Sequence, residues 1–389
     1  MNDLDALWAF LVAGVVALGV TPLAARLARR IGAIDLPKER GLHDTPTPSL
    51  GGLAIFAGVL AGAVFLPFNG ETRGILAGAA VIALIGALDD AREGGLSAVV
   101  KLAGQFAAAA IPVAADVRVD NVTLPFVDPL QLGNWGIPLT LMGMVAVMNV
   151  VNFTDGVDGL AAGVCTIAAA TFAVIALSLD RDDAGVLAAG VAGAAVGFLW
   201  HNFHPASIFM GDSGSNLLGL LLAAVAVQGV LKTAAVVALF FPLVILAVPA
   251  FDATFVVAKR IKYGRPIYSA DRWHLHHRFD NIGFSARRTV VYLYAWTVTL
   301  AALALALRFV PYSDDNGHLN EGWTAVMASF GLVAIAASVY LVYVLEILKF
   351  RRFRERQLRK QAALSDREIR EEIAREVETG EFQALEPPG

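Results

Sequence analysis

Long apolar runs set the rhythm of the chain. Period-2 alternation is scarce, and polar residues gather in the gaps between runs. Runs of this length predict membrane-spanning helices, since about 20 apolar residues cross a hydrocarbon core. Eleven spans are expected, at 7–26, 50–67, 73–88, 98–115, 136–152, 159–179, 184–200, 215–230, 232–252, 289–309 and 323–348. Several are short or interrupted by Gly and Pro, and the 215–230/232–252 pair is barely divided. The expected fold class is all-α: a polytopic membrane protein of about eleven transmembrane helices. No internal repeat is evident, which counts against an inverted-repeat transporter. The opening MNDLDALWAF has no basic segment of the kind that begins a secretory signal, so the first run is expected to be retained.

Composition agrees. The 389 residues are 57% hydrophobic and 16% charged, with a mean hydropathy of +0.63; a soluble domain carries roughly 25% charged residues. The net charge of −4 gives no reason to expect nucleic acid. The lone Cys165 lies in an apolar run and reads as a packing residue. Charge becomes informative when sorted by loop. Of 30 Lys and Arg, 25 fall in one alternating set: 27–49, 89–97, 152–158, 201–214, 259–288 and the tail, counting Arg26 and Lys101 at span ends. The positive-inside rule puts that set in the cytoplasm, with the N-terminus outside and the C-terminus inside. Two regions follow: a membrane domain over 1–348 and a charged helical tail over 349–389, whose basic start suits anionic headgroups.

Every dense cluster of ionisable residues lies in that same set. LHDTPTPSLGG (42–52) offers the hydroxyls of Thr45 and Thr47 to a nucleotide, or simply a helix-entry turn. LDDAREGGLS ends a span with Asp89 and Asp90, two carboxylates that repel and call for a metal, a cation or a proton-transfer role. Lys101 follows, able to meet a phosphate or that Asp pair. MNVVNFTDGVDGL spaces Asn149, Asn152 and Asp155 three apart, then adds Asp158 and a glycine-led helix start suited to phosphate or a base carbonyl. Asn and Asp oxygens suit Mg²⁺. In HNFHPASIFMGDSGS, Asp212 reads as either an N-cap or a metal ligand, and His201 and His204 as packing or capping residues. DRWHLHHRF groups Arg272, His274, His276 and His277. Without Cys partners this fits pyrophosphate better than zinc.

Taken in this order, LDD, NFTDGVDGL, FMGDSGS and HLHHR resemble the polyprenyl-phosphate N-acetylhexosamine-1-phosphate transferase superfamily, over residues 20 to 310. The DRWHLHHRF stretch is similar to its bacterial N-acetylglucosamine-1-phosphate branch. The resemblance implies a reaction of UDP-GlcNAc with undecaprenyl phosphate, using Mg²⁺ (or Mn²⁺), in the bacterial inner membrane with the site facing the cytoplasm. It implies Asn152 and Asp212 as metal ligands and Asp158 facing uracil. Arg272, His274, His276 and His277 would hold the pyrophosphate, and Lys101 the lipid phosphate. Asp89 would orient or deprotonate that phosphate with support from Asp90, and Asp155 joins them as a catalytic candidate. A homodimer is a family-based expectation.

Three rival readings stand beside this. The nearest is the same chemistry on UDP-MurNAc-pentapeptide or another UDP-N-acetylhexosamine. An ion-coupled transporter would place its carboxylates deep in the spans, whereas here they sit at span ends. An inert scaffold would leave the Asp and His clusters unexplained.

Overall fold

In a computed structural model, the described residues are 4–36, 46–122, 130–230, 286–311, 320–343 and 371. They form ten α-helices: α1 (Asp5–Ile31), α2 (Gly51–Gly62), α3 (Gly70–Ala91), α4 (Ala98–Ala114), α5 (Gly136–Thr154), α6 (Leu160–Ser178), α7 (Asp182–Asn202), α8 (Gly211–Val225), α9 (Ala286–Phe309) and α10 (Glu321–Tyr343). The only sheets among these residues are two short antiparallel pairs, Ile34–Asp35 with Thr47–Pro48 and Asn121–Val122 with Leu130–Gln131. Ten of the eleven expected runs are helical. The run 232–252, the cluster 259–285 and the tail from 349 (apart from residue 371) lie outside the described residues. Among the described residues, six helices are long and apolar enough to cross a membrane: α1, α3, α5 with the turn before it, α6, α7 and α9.

Small side chains set the packing. Lipid tails are as apolar as leucine, so helices in a membrane associate by close van der Waals fit. α1 lies on α7 at Phe10 and Gly14, while its fully buried Ala9, Ala13 and Ala17 approach Gly58 and Gly62 of α2. A Cβ built on Gly193 would stand 2.0 Å from the Phe10 carbonyl oxygen, and one on Gly197 2.2 Å from that of Gly14. α8 is the centre of the bundle. Its residues from Ser213 to Val225 are all buried, and it packs against α2, α3 and α5.

Helices α1 to α8 alternate in direction, so the bundle has two ends. α1, α3, α5 and α7 finish at one end, where α2, α4, α6, α8 and α9 begin. The loops joined there include 92–97, 155–159, 203–210 and the described ends, 32–36 and 46–50, of the loop between α1 and α2. Segment 47–49 illustrates the joining: the Phe209 N–H donates to the Pro48 carbonyl at 2.8 Å, and the Gly51 and Gly52 N–H groups donate to the Phe209 and Met210 carbonyls, each at 3.0 Å. Of the loops expected on one side, the described parts of these four share one end; 259–285 and, apart from residue 371, the tail lie outside the described residues. The chain leaves at the far end by a turn of π-helix over Ala226–Val230 and returns at Ala286 on the shared end.

Candidate active site

The turn after α7 carries Phe209–Met210–Gly211 and then enters α8. The motif by itself reads Asp212 as N-cap or metal ligand; the N-cap position belongs to Met210, whose side chain makes no capping bond. The capping carboxylate comes from another helix. Asp90, at the end of α3, accepts from the N–H groups of Asp212 at 2.9 Å and Ser213 at 3.2 Å. These are two of the donors that every helix start leaves open, and a carboxylate there also meets the positive end of the helix dipole. Gly211 makes this approach available. Its φ is +71°, and a Cβ on it would sit 2.3 Å from an Asp90 oxygen. Gly52 clears the other side, where a Cβ would stand 2.2 Å from the Gly214 nitrogen. The GG pair after 47–49 thus serves helix entry and close packing.

Held this way, the Asp212 carboxylate faces two partners. Lys101 Nζ, on α4, lies 2.7 Å from Asp212 Oδ2 and 2.7 Å from Asp89 Oδ2. Asn152 on α5 donates through Nδ2 to Asp212 Oδ1 and to Ser215 Oγ, both at 2.9 Å. Asp89 is 8% exposed and also accepts from the Leu96 N–H at 2.5 Å. The two neighbouring aspartates therefore divide the work: Asp89 faces the lysine, and Asp90 faces the start of α8. Asp155 follows α5 directly. Part of its surface stays open, yet its carboxyl is enclosed by protein. That burial, together with repulsion from Asp212, Asp90 and Asp158, pushes it up to about 8.

The donor set fits a divalent cation. Carboxylate oxygens of Asp89, Asp90 and Asp212 lie within 4.8 Å of one another. Among the described residues, one ammonium stands against three of these acids, with Asp155 beside them, so this part of the cluster is short of positive charge. Hard oxygen donors of this kind suit Mg²⁺. In this arrangement Asn152 turns its NH₂ to Asp212, so its amide must turn over before its oxygen can serve as a ligand.

Asp158 occupies a separate station. Its Oδ2 accepts from His204 Nδ1 at 2.8 Å and from the Ala206 N–H at 3.0 Å. The next peptide, Gly159, is held from both sides: its N–H donates to Asn202 Oδ1 at 3.0 Å, and its carbonyl accepts from the Tyr294 hydroxyl of α9 at 2.5 Å. Arg287 Nε donates to the His204 carbonyl at 3.2 Å. His204, read as packing or capping, thus pairs with a candidate binding residue.

Six candidates from the sequence therefore come together: Asp89, Asp90, Lys101, Asn152, Asp155 and Asp212. Thr45, Arg272, His274, His276 and His277 lie outside the described residues. Sequence reading passed over Gln105 and Asn216, two buried amides directly below the acids. The available signal was their spacing, four residues after Lys101 and four after Asp212.

Comparison with known proteins points one way. The sequence pattern of glycosyl transferase family 4 matches residues 72–230. The chain is 39% identical over 302 residues to the probable undecaprenyl-phosphate N-acetylglucosaminyl 1-phosphate transferase of Bacillus subtilis, covering 76% of this chain and 84% of that protein. It is 40% identical over 324 residues to the decaprenyl-phosphate N-acetylglucosaminephosphotransferase of Mycobacterium leprae, covering 75% and 81%. It is also 36% identical over 329 residues to the phospho-N-acetylmuramoyl-pentapeptide-transferase of Desulforudis audaxviator, covering 77% and 95%.

Proposed function

We propose, because this chain belongs to glycosyl transferase family 4, that it transfers GlcNAc-1-phosphate from UDP-GlcNAc to undecaprenyl phosphate at the cytoplasmic face of a bacterial inner membrane. The observation that carries the reading is Lys101 held between Asp89 and Asp212 at a membrane-helix end, beside Asn152 and Asp155. An isolated structural ion pair needs one carboxylate. Here, among the described residues, one cation meets a surplus of acids, the arrangement expected where a metal and phosphates are to be exchanged.

In this reading an oxygen of the lipid phosphate attacks the β-phosphorus of the nucleotide sugar. The bond from that phosphorus to the bridging oxygen breaks, and UMP leaves with the oxygen. Asp212 and Asn152 would hold Mg²⁺, which supplies charge neutralisation on phosphate oxygens. Lys101 swings from Asp212 to the lipid phosphate, and Asp89 orients that phosphate. Asp90 keeps α8, and with it Asp212, in place. Asp158, oriented by His204 and the Ala206 N–H, faces the uracil. Arg272, His274, His276 and His277 bind the pyrophosphate. Such a transfer is mostly positioning and electrostatics, so no covalent enzyme intermediate is required. Products of this kind begin cell-envelope polysaccharides.

The same machinery would serve UDP-MurNAc-pentapeptide, and the Desulforudis relative keeps that reading in play. The test is UMP release by the purified protein with Mg²⁺, undecaprenyl phosphate and a panel of UDP-GlcNAc, UDP-GalNAc and UDP-MurNAc-pentapeptide. Release with UDP-GlcNAc is expected. Release only with the pentapeptide substrate would reassign the sugar, and no release with any donor would sink the transferase reading.

A further inference from the structure

Below the charged cluster lies a second, neutral layer. Gln105 on α4 and Asn216 on α8 are 6% and 5% exposed. Gln105 Nε2 donates to Asn216 Oδ1 at 2.7 Å, Asn149 Nδ2 on α5 donates to Gln105 Oε1 at 2.8 Å, and Asn216 Nδ2 donates to the Asp212 carbonyl at 2.9 Å. The direction of this chain is fixed at one end, because a backbone carbonyl can only accept. Asn216 must turn its nitrogen to Asp212 and its oxygen to Gln105, and that in turn sets Gln105 and Asn149. One orientation of all three amides satisfies the chain.

The two layers use the same three helices. α4 contributes Lys101 to the charged layer and Gln105, one turn on, to the neutral one. α8 contributes Asp212 and, one turn on, Asn216. α5 contributes Asn152 and Asn149, three residues apart. Residues at these spacings share a helix face. Helix formation requires none of these amides, and polar groups within a membrane protein are costly unless paired, so such residues mark functional regions.

We propose that Gln105 and Asn216 are positioning residues: their neutral rung fixes the register of α4 against α8, so that Lys101 stays aligned with Asp212 while the charged layer exchanges partners. The proposal rests on the reaction proposed above. A lysine that neutralises a phosphate has to release a carboxylate, so the Lys101–Asp212 contact cannot itself hold α4 in place throughout. The amide rung binds no substrate and can stay closed.

Two double variants test it. Gln105→Leu with Asn216→Leu replaces both partners of the neutral rung by apolar groups of similar size while Asn149 keeps its bond to the Val145 carbonyl at 2.8 Å, a change that can be nearly neutral for folding. Gln105→Asn with Asn216→Gln swaps the amides and keeps the rung. In the Leu pair, kcat should fall about 100-fold, as expected of a misplacement near 1 Å, with KM for UDP-GlcNAc within about twofold and the melting temperature little changed. Mn²⁺ affinity by electron paramagnetic resonance should fall about fivefold, since the rung holds the Asp212 backbone. The swapped pair should restore both. A Leu pair with wild-type kcat and Mn²⁺ affinity overturns the proposal. So does a loss that tracks melting temperature in both double variants, which would make the rung packing glue only. If the wild type releases no UMP from any donor, the transferase reading fails by itself, and Mn²⁺ affinity decides for the rung. A wild type that binds no Mn²⁺ either leaves nothing to position, and the proposal fails with it.

Discussion

Both ends of the bundle carry polar and charged side chains, but they use them differently. At the far end, bonds are scattered and mostly serve helix ends. Asn69 caps α3 by accepting from the Thr72 N–H at 2.8 Å. Arg308 on α9 reaches the Ser178 carbonyl at 2.6 Å, where α6 runs out of N–H partners. Gln228 in the π-turn donates to Glu71 at 2.6 Å. At the shared end, groups converge from distant parts of the chain: Asp212 is touched through side chain or backbone by Asp90, Lys101, Asn152 and Asn216. Convergence on one carboxylate, rather than polarity, separates a site from a well-capped helix end.

The largest test of that difference is Asp212→Ala. Turnover should become undetectable, a loss of at least about 1,000-fold for removal of a group central to charge stabilisation, while size-exclusion and circular dichroism profiles stay those of the wild type. An active Asp212→Ala protein would remove convergence as the mark of the site. Next is Lys101→Met, which keeps the aliphatic stem and removes the charge. Its kcat should fall about 100-fold, with Asp89 and Asp212 left to repel each other. If Lys101 serves only as their structural counter-ion, added Mg²⁺ would restore the rate in full; a deficit persisting at saturating Mg²⁺ marks it as a phosphate partner.

A smaller effect concerns pH. The Asp155 carboxyl is pushed up to about 8 by burial and by repulsion from Asp212, Asp90 and Asp158. It is therefore largely protonated at pH 7 and ionises as pH rises through 8, making the cluster more negative. Divalent cation binding should tighten by up to about tenfold from pH 6.5 to 8.5, with proton release measurable by calorimetry in buffers of different ionisation enthalpy. In Asp155→Asn the pH dependence should flatten. A slope equal to that of the wild type would assign the titration to another group.

Much of this arrangement was legible in the sequence, for a physical reason. Helix positions follow from apolar runs, which is local information, and the sorting of loops follows from Lys and Arg counts, which reflect where charges rest beside a membrane. The grouping of Asp89, Lys101, Asn152 and Asp212 followed from motifs. What stayed hidden depends on contacts between distant residues. That Asp90 caps α8 while Asp89 meets Lys101 cannot be read from two adjacent identical letters, because it is settled by a turn 122 residues away. Gln105 and Asn216 looked like stray polar letters in apolar runs, and only the facing of α4 and α8 turns their matched spacing into a rung. α8 also begins four residues earlier than its apolar run, because Asp90 supplies the cap that allows Gly211–Gly214 to be helical.

The weakest expected effect on turnover is at the far end, and it sharpens the comparison most. Asn69→Ala removes the bond from the Thr72 N–H and the contact to Asp183, with Nδ2 at 3.3 Å from Oδ2. An exposed N-cap of this kind is worth about 1 kcal/mol, so the melting temperature in detergent should drop by a few degrees. The transfer rate per folded molecule should stay within about twofold, because a local cap has no partner in the cluster and its loss ends with α3's first turn. A rate loss of tenfold or more in folded Asn69→Ala protein would show the two ends to be coupled along α3, which runs from Asn69's cap to Asp89 and Asp90. The bundle would then act as one device, and the division between local caps and a convergent site would not hold.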